Sequence, residues 1–156
     1  MKIIKCAPNG DCLFIALYVG YELICRKREQ TSQSISGTDD LALKRGSLLK
    51  RLIKEFYAKD HWDKETKFGT RKSILQTELS SVRDTTDDDI EAYLQTLSWG
   101  STPEYLAFAL LSNVSIKVYV PRENTLVLRD SVDNGPDTIS LVYANHHYDV
   151  LHEDLS

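Results

Sequence analysis

Cys12, near the start of the chain, stands where a cysteine could act as a nucleophile. It follows Gly10 and Asp11 and begins an apolar run with helical spacing, so Asp11 is predicted to cap a helix that opens at Cys12. Backbone N–H groups and the helix dipole favour an anion there, which is expected to lower the thiol pKa. The same N–H groups could hold the oxyanion of an acyl intermediate, and Gly10 would let the backbone approach a carbonyl closely.

A second group of candidate residues lies near the other end of the chain. His147 and Asp149 are two residues apart in a predicted strand, so their side chains are expected on the same face, with Tyr148 and Val150 packed on the other. A carboxylate that accepts from one imidazole nitrogen would leave the other for a thiol. His146 is interpreted as an exposed loop residue, and His61 and His152 are predicted to lie at the surface.

Each of these signals is weak when taken alone, because most intracellular cysteines are inert core residues and a His-x-Asp triplet is common. Cys6 and Cys25 are predicted to be ordinary buried thiols. Three cysteines without a CxxC pair exclude a disulfide scaffold, make a cysteine-based zinc site improbable and favour a reducing compartment.

Length and charge limit the remaining classes of function. The 156 residues predict one domain, and 19 basic against 23 acidic residues give a net charge of −4. That balance argues against nucleic acid or an anionic membrane as a partner held by bulk charge. No apolar stretch approaches the roughly 20 residues of a membrane span, so a cytoplasmic protein is predicted. Ten basic residues between Lys44 and Lys72 are interpreted as a solvated helix face.

The hydrophobic pattern changes from helical to alternating about two-thirds of the way along the chain. The predicted helices are 12–25, a second from a cap at Thr38 or Asp39 to about 58, 70–82, 86–97 and 102–112. The predicted strands are 2–6, 114–120 (ended by Pro121), 126–128, 138–143 and 146–151. This order predicts an α+β fold with helices packed on a small, mainly antiparallel sheet, in which the first strand could form an edge.

Several residues indicate where helices begin and end. Thr86 and Asp89 approximate a capping box, and Asp87 to Asp89 are interpreted as first-turn acids rather than metal ligands. Thr102 as a hydroxyl cap, followed by Pro103 at the first helical position, predicts another helix start. Asn113 is predicted to end that helix in the left-handed conformation.

Three motifs, at residues 9–14, 99–110 and 145–149, together resemble the ovarian tumour (OTU) family of deubiquitinating cysteine proteases. Asn9-Gly10-Asp11-Cys12-Leu13-Phe14 is similar to the family's nucleophile string Asp-Gly-Asn-Cys-Leu-Phe. Trp99-Gly100-Ser101, followed by Glu104, Ala107, Leu110 and a Val/Ile strand, resembles its central Trp-Gly segment. Asn145-His146-His147-Tyr148-Asp149 resembles its terminal His-Tyr-Asp motif. The motifs occur in the family's order and span nearly the whole chain, and the Trp-Gly-Ser string and compact size favour viral or bacterial-effector members, which would act in a host cytosol.

The resemblance implies a papain-like OTU fold over residues 1–156 and cleavage after the C-terminal glycine of ubiquitin or polyubiquitin. It implies Cys12 as nucleophile, His147 as general base and Asp149 as the acid that orients it, with no metal or cofactor. The backbone amides of Gly10, Asp11 and Cys12 match the oxyanion region. Asn9, Trp99 and His146 match positions along the substrate channel, although Trp99 is equally well interpreted as a core or lid aromatic. The partner would be ubiquitin, bound by a monomer.

One departure from the family pattern leaves alternatives open. Asn and Asp are exchanged on either side of Gly10, which places the charge of Asp11 next to the nucleophile. Its side chain is expected to point away from the oxyanion, to cap the helix or bond the loop. The alternatives are a non-catalytic module that binds ubiquitin, a thiol protease for another ubiquitin-like modifier, and a helical domain whose Cys and His are incidental.

Overall fold

The helices precede the longer strands along the chain, as the change of hydrophobic period predicts. A computed structural model describes residues 2–30, 34–79, 86–95 and 100–152. Its helices are α1 (Cys12–Glu29), α2 (Asp40–Phe56), α3 (Arg71–Leu79), α4 (Asp87–Gln95) and α5 (Thr102–Ser112), with a short 3₁₀ turn at Lys59–His61. Its strands are β1 (Lys2–Ile4), β2 (Glu65–Thr66), β3 (Gly69–Thr70), β4 (Ser115–Arg122), β5 (Thr125–Val132), β6 (Thr138–Ala144) and β7 (His147–His152). Among the described residues, no helix is long and apolar enough to cross a membrane.

Five of the strands form one sheet in the order β1-β7-β6-β4-β5. All neighbours in it are antiparallel except β4 and β6, which run parallel. The prediction of an α+β fold with a mainly antiparallel sheet is therefore confirmed. The first strand lies at the sheet's edge, where Ile4 pairs with Val150, so the two ends of the described chain are adjacent.

Helix α1 forms the centre of the core. Its residues from Leu13 to Leu17 are completely buried, and it packs against β7, β6 and α2. Two glycines allow these close approaches. A Cβ at Gly20 would collide with Ile139 of β6, and a Cβ at Gly46 of α2 would lie 2.5 Å from Cγ1 of Ile15. These contacts hold the helix that Cys12 opens against α2 and against β6, which pairs with the strand that carries His147 and Asp149.

Helix boundaries agree with the capping residues in most places. The side chain of Asp39 accepts a hydrogen bond from the N–H of Ala42, and Asn113 ends α5 with φ 54°. The capping box of Thr86 and Asp89 is present in both directions, at 3.0 and 3.2 Å.

Two helix predictions were wrong. Helix α1 continues to Glu29 instead of ending near Cys25, because Arg26, Lys27 and Arg28 are good helix formers whose charge suits a C-terminus. The N-cap of α5 is Ser101 and not Thr102, since Ser101 is the last residue with extended backbone.

Strands β4, β5 and β6 are longer than predicted. β1 ends at Ile4 instead of Cys6, because Cys6 bridges to Gly37, and β7 begins at His147 instead of His146, because His146 has a positive φ in the preceding turn. Pro121 lies within β4 and does not end it. Pro121 has no N–H to donate, but β6 pairs with β4 only as far as Tyr119, so no bond to β6 is lost there. On the other side, Pro121 still pairs with Leu126 of β5. Glu123 and Asn124, both with positive φ, form the turn between β4 and β5. His152, predicted to be exposed, is half-buried as the last residue of β7, where it pairs with Lys2.

Candidate active site

Cys12 is the first residue of α1, and its side chain is buried, with 2% exposed. Burial raises the pKa of its thiol, and the charge of Asp149 adds to this. The backbone N–H groups of Tyr148, Leu13 and Cys12 act in the opposite direction and lower the pKa. The expectation of a net lowering by the helix N-terminus was therefore wrong, because removal of the thiolate from water outweighs the amide dipoles in the free protein.

His147 and Asp149 lie on one face of β7, as predicted. Nε2 of His147 is 2.8 Å from Oδ1 of Asp149, which leaves Nδ1 for another partner. Tyr148 and Val150, between and beyond them, are buried, and the Tyr148 ring packs at 4.8 Å from that of Tyr143. The two groups of candidate residues lie on elements that pack together, because α1, which Cys12 opens, contacts β7. Both Cys12 and His147 are described, and no hydrogen bond joins the thiol to the imidazole ring.

Two neighbours of Asp149 could not be found from the sequence. Its Oδ1 accepts a 2.8 Å hydrogen bond from the backbone N–H of Cys6, and its Oδ2 lies 3.4 Å from Nζ of Lys5. Burial together with the charge of Asp149 raises the pKa of the Cys6 thiol to about 12, so Cys6 is protonated. The segment that follows β1 thus helps to fix the carboxylate: the N–H of Cys6 shares Oδ1 with His147, and Lys5 lies against Oδ2.

Backbone N–H groups of the loop before Cys12 donate hydrogen bonds to acceptors within the same loop. The N–H of Asp11 donates to Oδ1 of Asn9 at 2.9 Å, and the N–H of Cys12 donates to the carbonyl of Asn9 at 3.2 Å. Two of the three amides predicted for the oxyanion region, those of Gly10, Asp11 and Cys12, are therefore engaged within the loop. Asn9 closes this turn with both its side chain and its backbone.

Asp11 occupies the predicted N-cap position but makes no side-chain bond to the helix. Its Oδ1 instead lies 3.1 Å from Nζ of Lys50 on α2. The partners expected for its side chain, the start of the helix and the loop, were wrong, because the carboxylate pairs with Lys50 instead. Lys50 belongs to the basic run that was interpreted as a solvated face, and its side chain is only 21% exposed.

The structure describes His146 but not Trp99 among the residues predicted to line the substrate channel. Trp99 lies outside the described residues, but the adjoining Gly100 packs against Leu13, where a Cβ would collide with the leucine side chain. His146 is exposed, as predicted, in a two-residue turn with Asn145, and its Nδ1 is 3.3 Å from the hydroxyl of Tyr143.

The other thiols and imidazoles are not candidate catalytic groups, although the N–H of Cys6 holds Asp149. Cys6 is buried as predicted, whereas Cys25 is only half-buried. His61 is half-buried rather than exposed, with Nε2 3.5 Å from Oε1 of Glu55.

Glu104 is a buried carboxyl group near the central motif, with 1% exposed. Its Oε1 accepts from the N–H of Ser101 at 3.0 Å and from the hydroxyl of Tyr93 at 2.6 Å, which closes the start of α5. Burial raises its pKa to about 7, although these hydrogen bonds act to lower it. The sequence indicated a helix start here but gave no sign of a buried acid.

No protein-family model and no curated protein match the sequence. Solved structures do match. The OTU domain of human OTUD1 has a TM-score of 0.55 and 18% identity, over 97% of this chain and 85% of that one. The viral OTU domain proteases of Taggert virus (TM-score 0.58, 20% identity, 96% and 77% covered) and Farallon virus (0.54, 20%, 97% and 83%) match similarly. The chain has the fold of an OTU domain. In this OTU fold, α1 with Cys12 at its start packs against the strand of His147 and Asp149.

Proposed function

We propose that the chain is a cysteine-type deubiquitinase that cleaves the isopeptide bond after the C-terminal glycine of ubiquitin. The observation that supports this most strongly is the 2.8 Å bond between His147 and Asp149 on the strand packed against the helix that Cys12 opens. A thiol at a helix N-terminus, an imidazole and a carboxylate that orients it are the groups that acyl transfer through a thioester requires. The OTU fold of the neighbours supports the same activity.

In this mechanism, His147 takes the proton of the Cys12 thiol on Nδ1, and the thiolate attacks the glycine carbonyl. The Asp149 carboxylate holds the ring by Nε2 and stabilises the imidazolium. His147 then protonates the leaving lysine amine, and a water molecule, deprotonated by His147, hydrolyses the thioester.

Two features of the site describe its state before substrate binds. Because burial raises the thiol pKa, Cys12 is protonated in the free protein and transfers its proton only when a substrate is in place. The amides of Asp11 and Cys12 bond to Asn9, so they must leave these acceptors to donate to the oxyanion. Substrate binding is therefore expected to rearrange residues 9–12.

The same proposal includes a binding partner and a cellular compartment. Ubiquitin or a polyubiquitin chain would bind beside the site, with a contribution from the helical region 38–82, while its flexible tail reaches Cys12. The whole chain would act as one OTU-like domain, as a monomer without a cofactor, in a cytosol.

Ubiquitin with an electrophilic C-terminus tests this proposal. We expect a covalent adduct on Cys12, seen as a mass increase of one ubiquitin and mapped to the peptide that contains Cys12. Cys12→Ala should abolish the adduct, whereas Cys25→Ala, which removes the half-buried thiol of the same helix, should leave it unchanged. Capture by another ubiquitin-like modifier but not by ubiquitin would reassign the substrate, and capture by neither would overturn the proposal.

The second candidate function is a module that binds ubiquitin without cleaving it. The amides of Asp11 and Cys12, which donate within the loop, and the raised pKa of Cys12 favour this candidate. Binding of ubiquitin, measured by calorimetry, together with no adduct would support it.

A further inference from the structure

Asp11 departs from the usual behaviour of an acid at a helix N-cap. Such a side chain normally accepts a hydrogen bond from the second or third N–H of the helix, and its charge is stabilised by the dipole. Here the N-cap residue of α1 makes no such bond, and its carboxylate lies 3.1 Å from Nζ of Lys50. Lys50 therefore takes the place that the helix amides would otherwise fill.

An N-cap carboxylate at Asp11 would lie beside Cys12, the first residue of α1. It would accept from the N–H of Leu13 or Phe14, the second and third residues of the helix. A free Asp11 carboxylate and a Cys12 thiolate would thus compete for the amides and the dipole at the start of α1. A strongly hydrated, fully charged carboxylate is the better acceptor, and its charge would also repel the thiolate.

The close packing of α2 on α1 brings Lys50 within reach of Asp11. It lies four residues after Gly46, on the same face of α2. Gly46 allows α2 to approach α1 at Ile15, and this approach carries Lys50 to the start of α1. The two charged side chains are 21% and 28% exposed, so their pairing is only partly screened by water.

We infer that Lys50 is a positioning residue for the nucleophile: it pairs with Asp11, holds the carboxylate away from the start of α1 and leaves the helix N-terminus to the Cys12 sulfur. The inference rests on the proposed role of Cys12. It also explains how an acid is tolerated beside the nucleophile.

Alkylation of Cys12 by iodoacetamide tests the inference without ubiquitin. The thiolate displaces iodide, so the rate at one fixed pH reports how well the thiolate is stabilised, and the modified Cys12 peptide is quantified by mass spectrometry. We expect Lys50→Met to slow the reaction about fivefold, the size expected when the thiolate loses the stabilisation of the helix N-terminus to a second negative charge. Lys44→Met, which removes an exposed lysine of the same helix, is the matched control and should not change the rate.

Two further variants separate positioning from damage to the fold. Asp11→Asn in the Lys50→Met background should restore the rate, because the competing carboxylate is gone, and Lys50→Arg should retain most of it. A Lys50→Met protein with the wild-type rate, or a double variant as slow as Lys50→Met, would overturn the inference. Failure of ubiquitin capture with these alkylation results intact would overturn the proposed function alone.

Discussion

At the scale of the residue, His147 and Asp149 are expected to differ in importance. His147→Ala removes the group that accepts and returns the proton, so turnover of a ubiquitin substrate should fall by roughly 10²–10⁴-fold, the usual contribution of a general base. Asp149→Ala should reduce turnover less, because other polar groups can still orient the imidazole. Steady-state kinetics of both variants measure the difference.

Asp149→Ala should also destabilise the protein, since it leaves the buried N–H of Cys6 without its 2.8 Å acceptor. The expected loss in urea unfolding is about 1–3 kcal/mol. Asp149→Asn keeps an acceptor for that N–H and is the control for stability. Full activity of the Asp149→Ala enzyme would show that Asp149 is not part of the catalytic group.

Glu104 predicts how stability depends on pH. Its pKa is about 7 in the folded protein against 4.5 for an ordinary glutamate, so folding disfavours its charged form. The stability that its neutral form contributes is fully present below pH 4.5 and decreases as the pH rises to about 7, by roughly 3 kcal/mol. Urea unfolding across this range should show the decrease in the wild type and a smaller one in Glu104→Gln. Equal slopes for the two proteins would contradict this assignment.

The sequence indicated some of these residues and not others for a physical reason. Cys12, His147 and Asp149 could be found because each stands in a local pattern, a helix start or a His-x-Asp strand. Lys50 and the Cys6 N–H act through contacts across 39 and 143 residues, which leave no local pattern. The pKa of Cys12 was predicted with the wrong sign because the sequence shows the helix start but not the burial around it.

At the scale of the element, the contact between α1 and α2 depends on Gly46. Gly46→Ala places a Cβ 2.5 Å from Cγ1 of Ile15, which should outweigh the better helix propensity of alanine and destabilise the protein by about 1–3 kcal/mol. Ser47→Ala, at the next and exposed position of α2, should leave stability equal or slightly higher. Thermal unfolding compares the two, and an unaffected Gly46→Ala protein would show that the helices can separate without cost.

The ends of helices could be predicted from the sequence better than the extent of strands. The ends of helices at Asp39 and Asn113 follow from the side chain or the backbone freedom of one residue, so they were predicted correctly. The extent of β4 and β5 depends on which neighbour pairs with which residue. Pro121 therefore looked like a strand end until the register with Leu126 was known.

At the scale of the whole molecule, the site depends on the pairing of the first strand with the last. β1 pairs with β7, and the residues just after it hold Asp149. A chain that begins at Lys5 loses β1, so we expect lower stability in urea and slower turnover of a ubiquitin substrate. Ile3→Thr, which changes an exposed side chain but keeps the pairing, is the control. Unchanged turnover in the shortened chain would mean that β1 does not support the site.

The central claim is that Cys12, activated by His147, cleaves an amide bond at the C-terminus of ubiquitin. The most direct measurement is the release of a fluorescent amine from a ubiquitin whose C-terminal glycine carries it. We expect multiple turnovers by the wild-type protein and none by Cys12→Ala, with Cys25→Ala as active as the wild type. No release by the wild-type protein, or release that persists in Cys12→Ala, would contradict the claim.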